Sequence, residues 1–210
     1  MRMKIILDEE TEKELLYRSN FLGVSISSSI LLHLILYHDK SILNRENFNV
    51  FKNGNYRYLQ MDVTECVIRK YDSKPRYDNS ISMLLSVYLH DIVKKTKTEW
   101  ESMASKIKLK MVFSTYSIEK NTISKMRELK KKTGLTFTTI INYAATMDDV
   151  EPIDQLSLFS DDTPKKQQQG FQLTQEALKK ISGQAENQQI KSVGQLLEIK
   201  LKKTLEMLDI

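Results

Sequence analysis

The sequence predicts a mainly helical protein in which a short unit of one strand and two helices recurs along the chain. Alternating apolar and basic residues open the chain at 2–7, and two apolar patterns of helical period follow. The turn Gly23-Val24-Ser25-Ile26-Ser27, between those two patterns, matches Gly134-Leu135-Thr136-Phe137-Thr138 position for position. A repeated pattern predicts a repeated structural unit. We therefore expect tandem strand–helix–helix units joined by linkers.

The first unit, residues 1–43, contains each of these elements. Apolar residues alternate with Arg2 and Lys4, which predicts a strand with one buried face and one mostly basic face. Acidic residues ahead of the next apolar pattern favour a helix N-terminus there, and Gly23 ends that helix. Ser25 is the predicted cap of the second helix, whose apolar residues form a wide face.

Strand, helix, glycine turn and serine-capped helix in this order resemble the ribbon-helix-helix (MetJ/Arc/CopG-like) family of DNA-binding repressors. The resemblance rests on the basic strand at 2–7 and on the turn from Gly23 to Ser27. In that family two such units pair their strands into a ribbon that lies in the major groove of DNA. The resemblance therefore implies tandem ribbon-helix-helix units that bind DNA.

Residues 55–107 are predicted to form a second, degenerate unit with an extended helix, after a polar connector at 44–54. Residues 56–61 favour a strand, and Pro75 ends the first helix early. Alignment with the first unit places Asp78 opposite Ser25, so Asp78 is the predicted cap of the second helix. Because an acidic cap disfavours a phosphate, we expect this unit to pair with the first and to contact DNA more weakly.

Residues 108–147 are predicted to form a third unit, which begins with a basic extended segment. Residues 148–170 combine prolines, acidic residues and a polar tract, a composition that predicts a flexible linker. Residues 171–210 form either a fourth, degenerate unit without a glycine turn or a helical hairpin for self-association. Units one and two are expected to pair within the chain, and units three and four to form a second pair or to dimerise between chains.

The resemblance also implies which residues contact DNA. Outward polar side chains of a two-stranded ribbon reach base edges in the major groove, where arginine and lysine read guanine. The candidate base contacts are Arg2, Lys4, Arg57, Lys108, Lys110 and Thr115. Each second helix offers backbone N–H groups to a phosphate at its N-terminus. The candidate phosphate contacts there are Ser25, Ser27, Thr136 and Thr138, and the alternative is that these hydroxyls only cap helices.

The predicted linker contains the pentapeptide Gln155-Leu156-Ser157-Leu158-Phe159. It resembles the clamp-binding motif of bacterial replication and repair proteins at all five positions, and an accessible linker suits a short linear motif. The resemblance implies contact with the bacterial sliding clamp, the beta subunit of DNA polymerase III. The alternative is an apolar patch that packs against a neighbouring unit of the same chain.

Composition excludes several other classes of protein. A net charge of +5 and a pI near 9.1 favour anionic partners. The single cysteine, Cys66, excludes internal disulfides and fits a reducing cytoplasm, and the longest apolar run is too short to cross a membrane. His33, His38 and His90 lack the spacing of metal ligands. Because no catalytic or nucleotide-binding motif occurs, we expect no enzyme activity, metal or cofactor.

These patterns together predict a cytoplasmic, site-specific double-stranded DNA-binding protein that also contacts the sliding clamp, alone or as a homodimer. That combination suits replication or its control on a plasmid, phage or mobile element. One alternative is a plain ribbon-helix-helix transcriptional or copy-number repressor, or a conjugative-transfer accessory protein, in which the pentapeptide is incidental. A second alternative is a protein-interaction adaptor that binds no DNA.

Overall fold

The computed structural model describes residues 1–41, 43–52, 55–77, 79–101, 103–148, 165–190 and 192–208. In these ranges each strand is followed by at least two helices. The strands are β1 (Arg2–Asp8), β2 (Tyr56–Asp62), β3 (Met111–Glu119) and β4 (Lys166–Thr174). The helices are α1 (Glu9–Leu22), α2 (Ile26–Leu36), α3 (Glu65–Arg69), α4 (Ile81–Lys95), α5 (Lys97–Glu101), α6 (Lys120–Thr133), α7 (Phe137–Thr146), α8 (Gln175–Asn187) and α9 (Val193–Met207), with a 3-10 helix at Arg45–Lys52. The prediction of a mainly helical protein with short strands is confirmed.

The strands pair into two antiparallel ribbons, and both strands of each ribbon belong to the same chain. We call β1 with β2 the first ribbon and β3 with β4 the second ribbon. The two ribbons can be compared through the N-caps of the helices that follow their strands. In the first ribbon Asp8, the N-cap of α1, pairs with Tyr56, which lies eight residues before Thr64, the N-cap of α3. In the second ribbon Glu119, the N-cap of α6, pairs with Lys166, which lies eight residues before Thr174, the N-cap of α8. The two ribbons therefore have the same register. The first ribbon forms within the chain as the sequence predicted, and of the two alternatives for the third and fourth units the structure has the pair within the chain.

In three described helices, the side chain six residues after the N-cap accepts a hydrogen bond from a backbone N–H group of a strand in the same ribbon. The strand bonded in each case is the one that the helix does not follow, and we say that the side chain closes the edge of that strand. Ser86 of α4 does so for β1, Asn142 of α7 for β4, and Glu198 of α9 for β3. Their oxygens accept hydrogen bonds from the backbone N–H groups of Ile6 (2.9 Å), Thr174 (2.7 Å) and Glu119 (2.7 Å), respectively. We call each strand with the helices that follow it a segment. In both ribbons a helix of one segment packs on the strand of the other segment, so the two segments are intertwined.

The two matching turns have the backbone that their sequence predicts. Gly23 and Gly134 lie in the left-handed region, with φ of 65° and 83°, and end α1 and α6. Ser25 and Thr136 then cap α2 and α7, as predicted. Gly23 is also in a confined place, because a Cβ atom there would lie 2.4 Å from Sδ of Met111.

The second and fourth segments turn differently. Tyr77 and Gln189 take the left-handed conformation without being glycine, with φ of 48° and 55°. The N-caps that follow are Ser80 and Ser192, one residue further on than in the glycine turns. The prediction that Asp78 caps the second helix is therefore wrong, and Asp78 itself lies outside the described residues. The helix before this turn, α3, has only five residues, which agrees with its predicted early end.

Three predicted boundaries are also wrong. Residues 166–170 of the expected linker form the first part of β4, because backbone hydrogen bonds to β3 hold a tract that has no apolar residue to mark it as a strand. The strand of the third unit begins at Met111, three residues after Lys108. The extended helix expected up to residue 107 is interrupted at Thr96, whose hydroxyl donates to the carbonyl of Ile92 at 2.8 Å.

One hydrophobic core runs through both ribbons and the helices packed on them. Met3, Ile5, Leu7 and Met61 line its side of the first ribbon, and Ile118, Phe171 and Leu173 its side of the second. Within the described residues no single helix has the length and apolar character to cross a bilayer, and α1 and α2 meet that test only as a pair bent by 98°.

Candidate nucleic-acid interface

The first ribbon exposes one complete face. Directly paired residues of an antiparallel ribbon share a face, and alternate positions along each strand point to the same side. The outward positions are Arg2, Lys4 and Ile6 of β1, paired with Asp62, Gln60 and Tyr58 of β2. Five of these six side chains are exposed and Ile6 is half-buried. The predicted base contacts Arg2 and Lys4 therefore share a surface with an amide, a carboxylate and a phenol.

The second ribbon exposes the equivalent face with different chemistry. Its outward positions are Phe113, Thr115 and Ser117 of β3, paired with Gln172, Gly170 and Gln168 of β4. Phe113 is 70% exposed, although it is a large apolar side chain. A Cβ atom at Gly170 would lie 2.3 Å from Cζ of Phe113, so the phenyl ring rests on the glycine backbone. The predicted contact Thr115 lies at the centre of this face.

Three predicted base contacts lie elsewhere. Arg57 pairs with Leu7, a residue of the buried face, and its guanidinium forms an ion pair with Glu12 of α1. Arg57 therefore does not share the outward face of Arg2 and Lys4, because register rather than local sequence decides the face. Lys108 and Lys110 are exposed but precede β3, so they lie beyond the end of the ribbon.

Sequence reasoning missed several outward polar residues. Gln60 lies between the apolar residues Leu59 and Met61, so the sequence did not single it out. Gln168 was assigned to the linker and Gln172 to the start of the last unit. No periodic signal marks them, because Gln168 lies within the uninterrupted run Gln167–Gln169 and Gln60 is a single glutamine in β2.

The predicted phosphate contacts occupy the first turns of α2 and α7. The hydroxyls of Ser25 and Thr136 accept from the backbone N–H groups three residues on, at 3.2 and 3.1 Å, so their capping role is established. Ser27 and Thr138 are half-buried and lie two residues after the caps, within the first turn. The first N–H groups of a helix have no acceptor within it, so both N-termini can accept an anion. Contact with phosphate stays a prediction.

Behind this surface, a buried cation joins α1 to α4 and α5. Arg18 is fully buried, and its guanidinium donates to Thr96 Oγ1 at 2.8 Å and to the carbonyl of Val93 at 2.9 Å. It lies 5.5 Å from the centroid of the Trp100 ring. Desolvation by burial lowers the pKa of Arg18 to about 10, and the negative charge of Glu14 opposes that shift. The side chain therefore remains cationic at neutral pH.

His33 of α2 belongs to the same buried cluster. Its ring centroid lies 5.1 Å from that of Trp100, and its Nδ1–H donates to the carbonyl of Ser29 at 2.7 Å. Burial, together with the charge of Arg18, lowers the pKa of His33 to about 3. His33 is therefore a neutral core residue at physiological pH.

The described residues contain no cluster of three or more histidine, cysteine, aspartate or glutamate side chains arranged to hold a metal ion. His90 instead contacts Asp8 at 2.6 Å, and His38 contacts Asp39 at 3.0 Å.

Comparison of the chain with protein-family models, with curated proteins and with solved structures finds no match. The pentapeptide Gln155–Phe159, predicted to bind the sliding clamp, lies outside the residues that the structure describes.

Proposed function

We propose that this chain is a site-specific double-stranded DNA-binding protein built from tandem ribbon-helix-helix units. The observation that carries the proposal is the exposed face of the first ribbon, where Arg2, Lys4 and Gln60 project together from paired strands. A two-stranded ribbon fits the major groove of B-form DNA, where arginine and lysine bind the edge of guanine and glutamine binds the edge of adenine.

The organisation of the chain supports the tandem arrangement. Both ribbons have the same register relative to their helix caps, and in both the partner segment's helix closes a strand edge. Four copies of one strand–helix–helix unit, paired two by two, account for these relations. The caps Ser25, Ser80, Thr136 and Ser192 then occupy equivalent positions in the four units.

The experiment is selection of bound duplexes from a random pool by the full chain, followed by anisotropy titration of the selected sequence. The double variant Arg2→Ala, Lys4→Ala should lower affinity for the selected site by about 5- to 150-fold for each base-reading side chain that is removed, and less for unrelated DNA. The matched control is Lys94→Ala, Lys203→Ala, which removes the same charge from exposed positions near the C-terminal ends of α4 and α9. Equal losses of affinity in both double variants contradict base reading by the first ribbon.

Salt dependence separates this proposal from the protein adaptor that binds no DNA. Binding that neutralises phosphates weakens steeply as salt rises, because counterions are released from DNA. Failure to bind any duplex at low salt would favour the adaptor.

We further propose that residues 155–159 bind the sliding clamp, so that the protein acts in replication or its control on a plasmid, phage or mobile element. This part rests on the sequence of the pentapeptide alone. A peptide of residues 154–160 should bind purified clamp, and Leu158→Ala with Phe159→Ala should abolish that binding. If the full chain without residues 154–160 keeps its biological activity, the plain repressor or transfer accessory protein is the better description.

A further inference from the structure

The two ribbons present different side chains at equivalent positions, although they share one register. The outward positions lie two, four and six residues before each helix cap. In the first ribbon they hold Ile6, Lys4, Arg2, Asp62, Gln60 and Tyr58. In the second they hold Ser117, Thr115, Phe113, Gln172, Gly170 and Gln168. The first set contains three charged residues and the second set contains none.

The first set has the chemistry that recognises G·C pairs. Arginine and lysine donate to O6 and N7 of guanine, and aspartate accepts from N4 of cytosine. Arg2 and Asp62 are paired across the ribbon, so a donor for guanine and an acceptor for cytosine lie side by side. Lys4, a second donor for guanine, follows at the next outward position and pairs with Gln60, the one member of the set that reads adenine.

The second set has the chemistry that recognises A·T pairs. Glutamine bonds N6 and N7 of adenine in a bidentate fashion, and apolar side chains contact the methyl group of thymine. Gln168 and Gln172 project from β4 on either side of Gly170. Because Gly170 has no side chain, the exposed ring of Phe113 occupies the middle of the face. An apolar ring between two amides matches a thymine methyl group flanked by adenines.

We infer that the preferred DNA is a bipartite, non-palindromic duplex with a G·C-rich part contacted by the first ribbon and an A·T-rich part contacted by the second. This inference rests on the proposed function. A ribbon made by two identical chains repeats its side chains and reads a palindrome. Here the central pair of the first ribbon is Lys4 with Gln60, and that of the second is Thr115 with Gly170, so neither ribbon is symmetric.

The test is duplex selection with the full chain and with two variants that each alter one ribbon. Lys4→Thr gives the first ribbon the residue of the equivalent position in the second, and Gln168→Ala with Gln172→Ala removes the amides of the second. All three positions are exposed, so thermal unfolding should be unchanged and serves as the control for folding. Each selected base pair is then exchanged singly and its effect on the dissociation constant measured.

The wild-type chain is expected to select duplexes that contain a G·C-rich part and an A·T-rich part in a fixed order. Lys4→Thr should reduce discrimination by about 5- to 150-fold in the G·C-rich part alone, and the glutamine variant should do so in the A·T-rich part alone. A palindromic site, a single uniform part, or reduced discrimination in both parts from either variant overturns the inference while leaving DNA binding intact. Failure to select any duplex overturns the proposed function itself.

Discussion

Ser86 of α4 accepts a hydrogen bond from the backbone N–H of Ile6, at 2.9 Å, on the edge of β1 that faces away from β2. The same hydroxyl donates to the carbonyl of Ser82 at 2.7 Å, one turn earlier in the helix. Ser82 in turn donates to the carbonyl of Lys4 on the same strand edge. A helix from the second segment therefore bonds two backbone groups on the outer edge of the first strand and occupies that part of the edge, where another chain could otherwise pair.

Ser86→Ala should lower the free energy of unfolding by about 1–3 kcal/mol, because the N–H of Ile6 loses its acceptor in a place closed to water. Ser82→Ala is the matched control. It removes a hydrogen bond from an exposed place where water can replace it, so its effect should be smaller. Chemical denaturation of both variants measures the difference, and equal effects would show that the Ser86 bond is as hydrated as that of Ser82.

Gly23→Ala should destabilise the protein more than Gly134→Ala. Both positions have positive φ, which costs an alanine about 1–2 kcal/mol. Only at Gly23 would the new Cβ collide, 2.4 Å from Met111 Sδ and 2.9 Å from Thr174 Cγ2, whereas the nearest atom to a Cβ at Gly134 is 3.7 Å away. Thermal unfolding of the two variants checks this order.

A double-mutant cycle measures how much of the cost at Gly23 comes from Met111. Met111→Ala removes the sulfur, so in that background Gly23→Ala should cost less, while the contact with Thr174 Cγ2 at 2.9 Å and the positive φ still contribute. No interaction between the two substitutions would mean that the Met111 side chain moves aside without cost.

The stability of the protein should fall as the pH falls from about 6.5 to about 3. In this interval unfolded chains protonate His33 at its ordinary pKa, whereas burial keeps it neutral in the folded chain. The unfolded state therefore binds more protons, and the free energy of unfolding decreases by up to about 1.4 kcal/mol per pH unit from this group. His33→Leu should make the pH dependence shallower. Denaturation at several pH values checks it, and parallel curves for the two proteins would contradict it.

The fluorescence of Trp100, the single tryptophan, should report the unfolding of two halves together: the first ribbon with its helices and the second ribbon with its helices. It is 1% exposed, its Nε1–H donates to the hydroxyl of Tyr37 at 3.3 Å, and its ring stacks on Tyr143 of α7 with centroids 6.4 Å apart. Since one core joins both ribbons, fluorescence and far-ultraviolet circular dichroism should give coincident transitions. A fluorescence transition at lower denaturant would show that the halves separate before they unfold.

Local patterns predicted the elements that local interactions determine. The alternation around Ile5, the glycine at position 23 and the serine at position 25 gave β1, α1 and α2 in order, because period, left-handed turn and cap each have a direct sequence signal. The third segment followed for the same reason, through Gly134 and Thr136.

Elements fixed by distant parts of the chain could not be predicted in this way. Tyr77 and Gln189 carry no sign of positive φ, so the caps after them were misplaced or missed. Residues 166–170 contain no apolar residue, and only pairing with β3 makes them a strand. The face on which Arg57 lies depends on its pairing with Leu7, which the sequence of β2 alone does not specify.

Because both strands of each ribbon are parts of one covalent chain, their association is a first-order event. Dilution leaves the fraction of paired strands unchanged, whereas a ribbon shared between separate chains dissociates as their concentration falls. A cell that holds only a few copies of this protein would still contain intact ribbons in every copy.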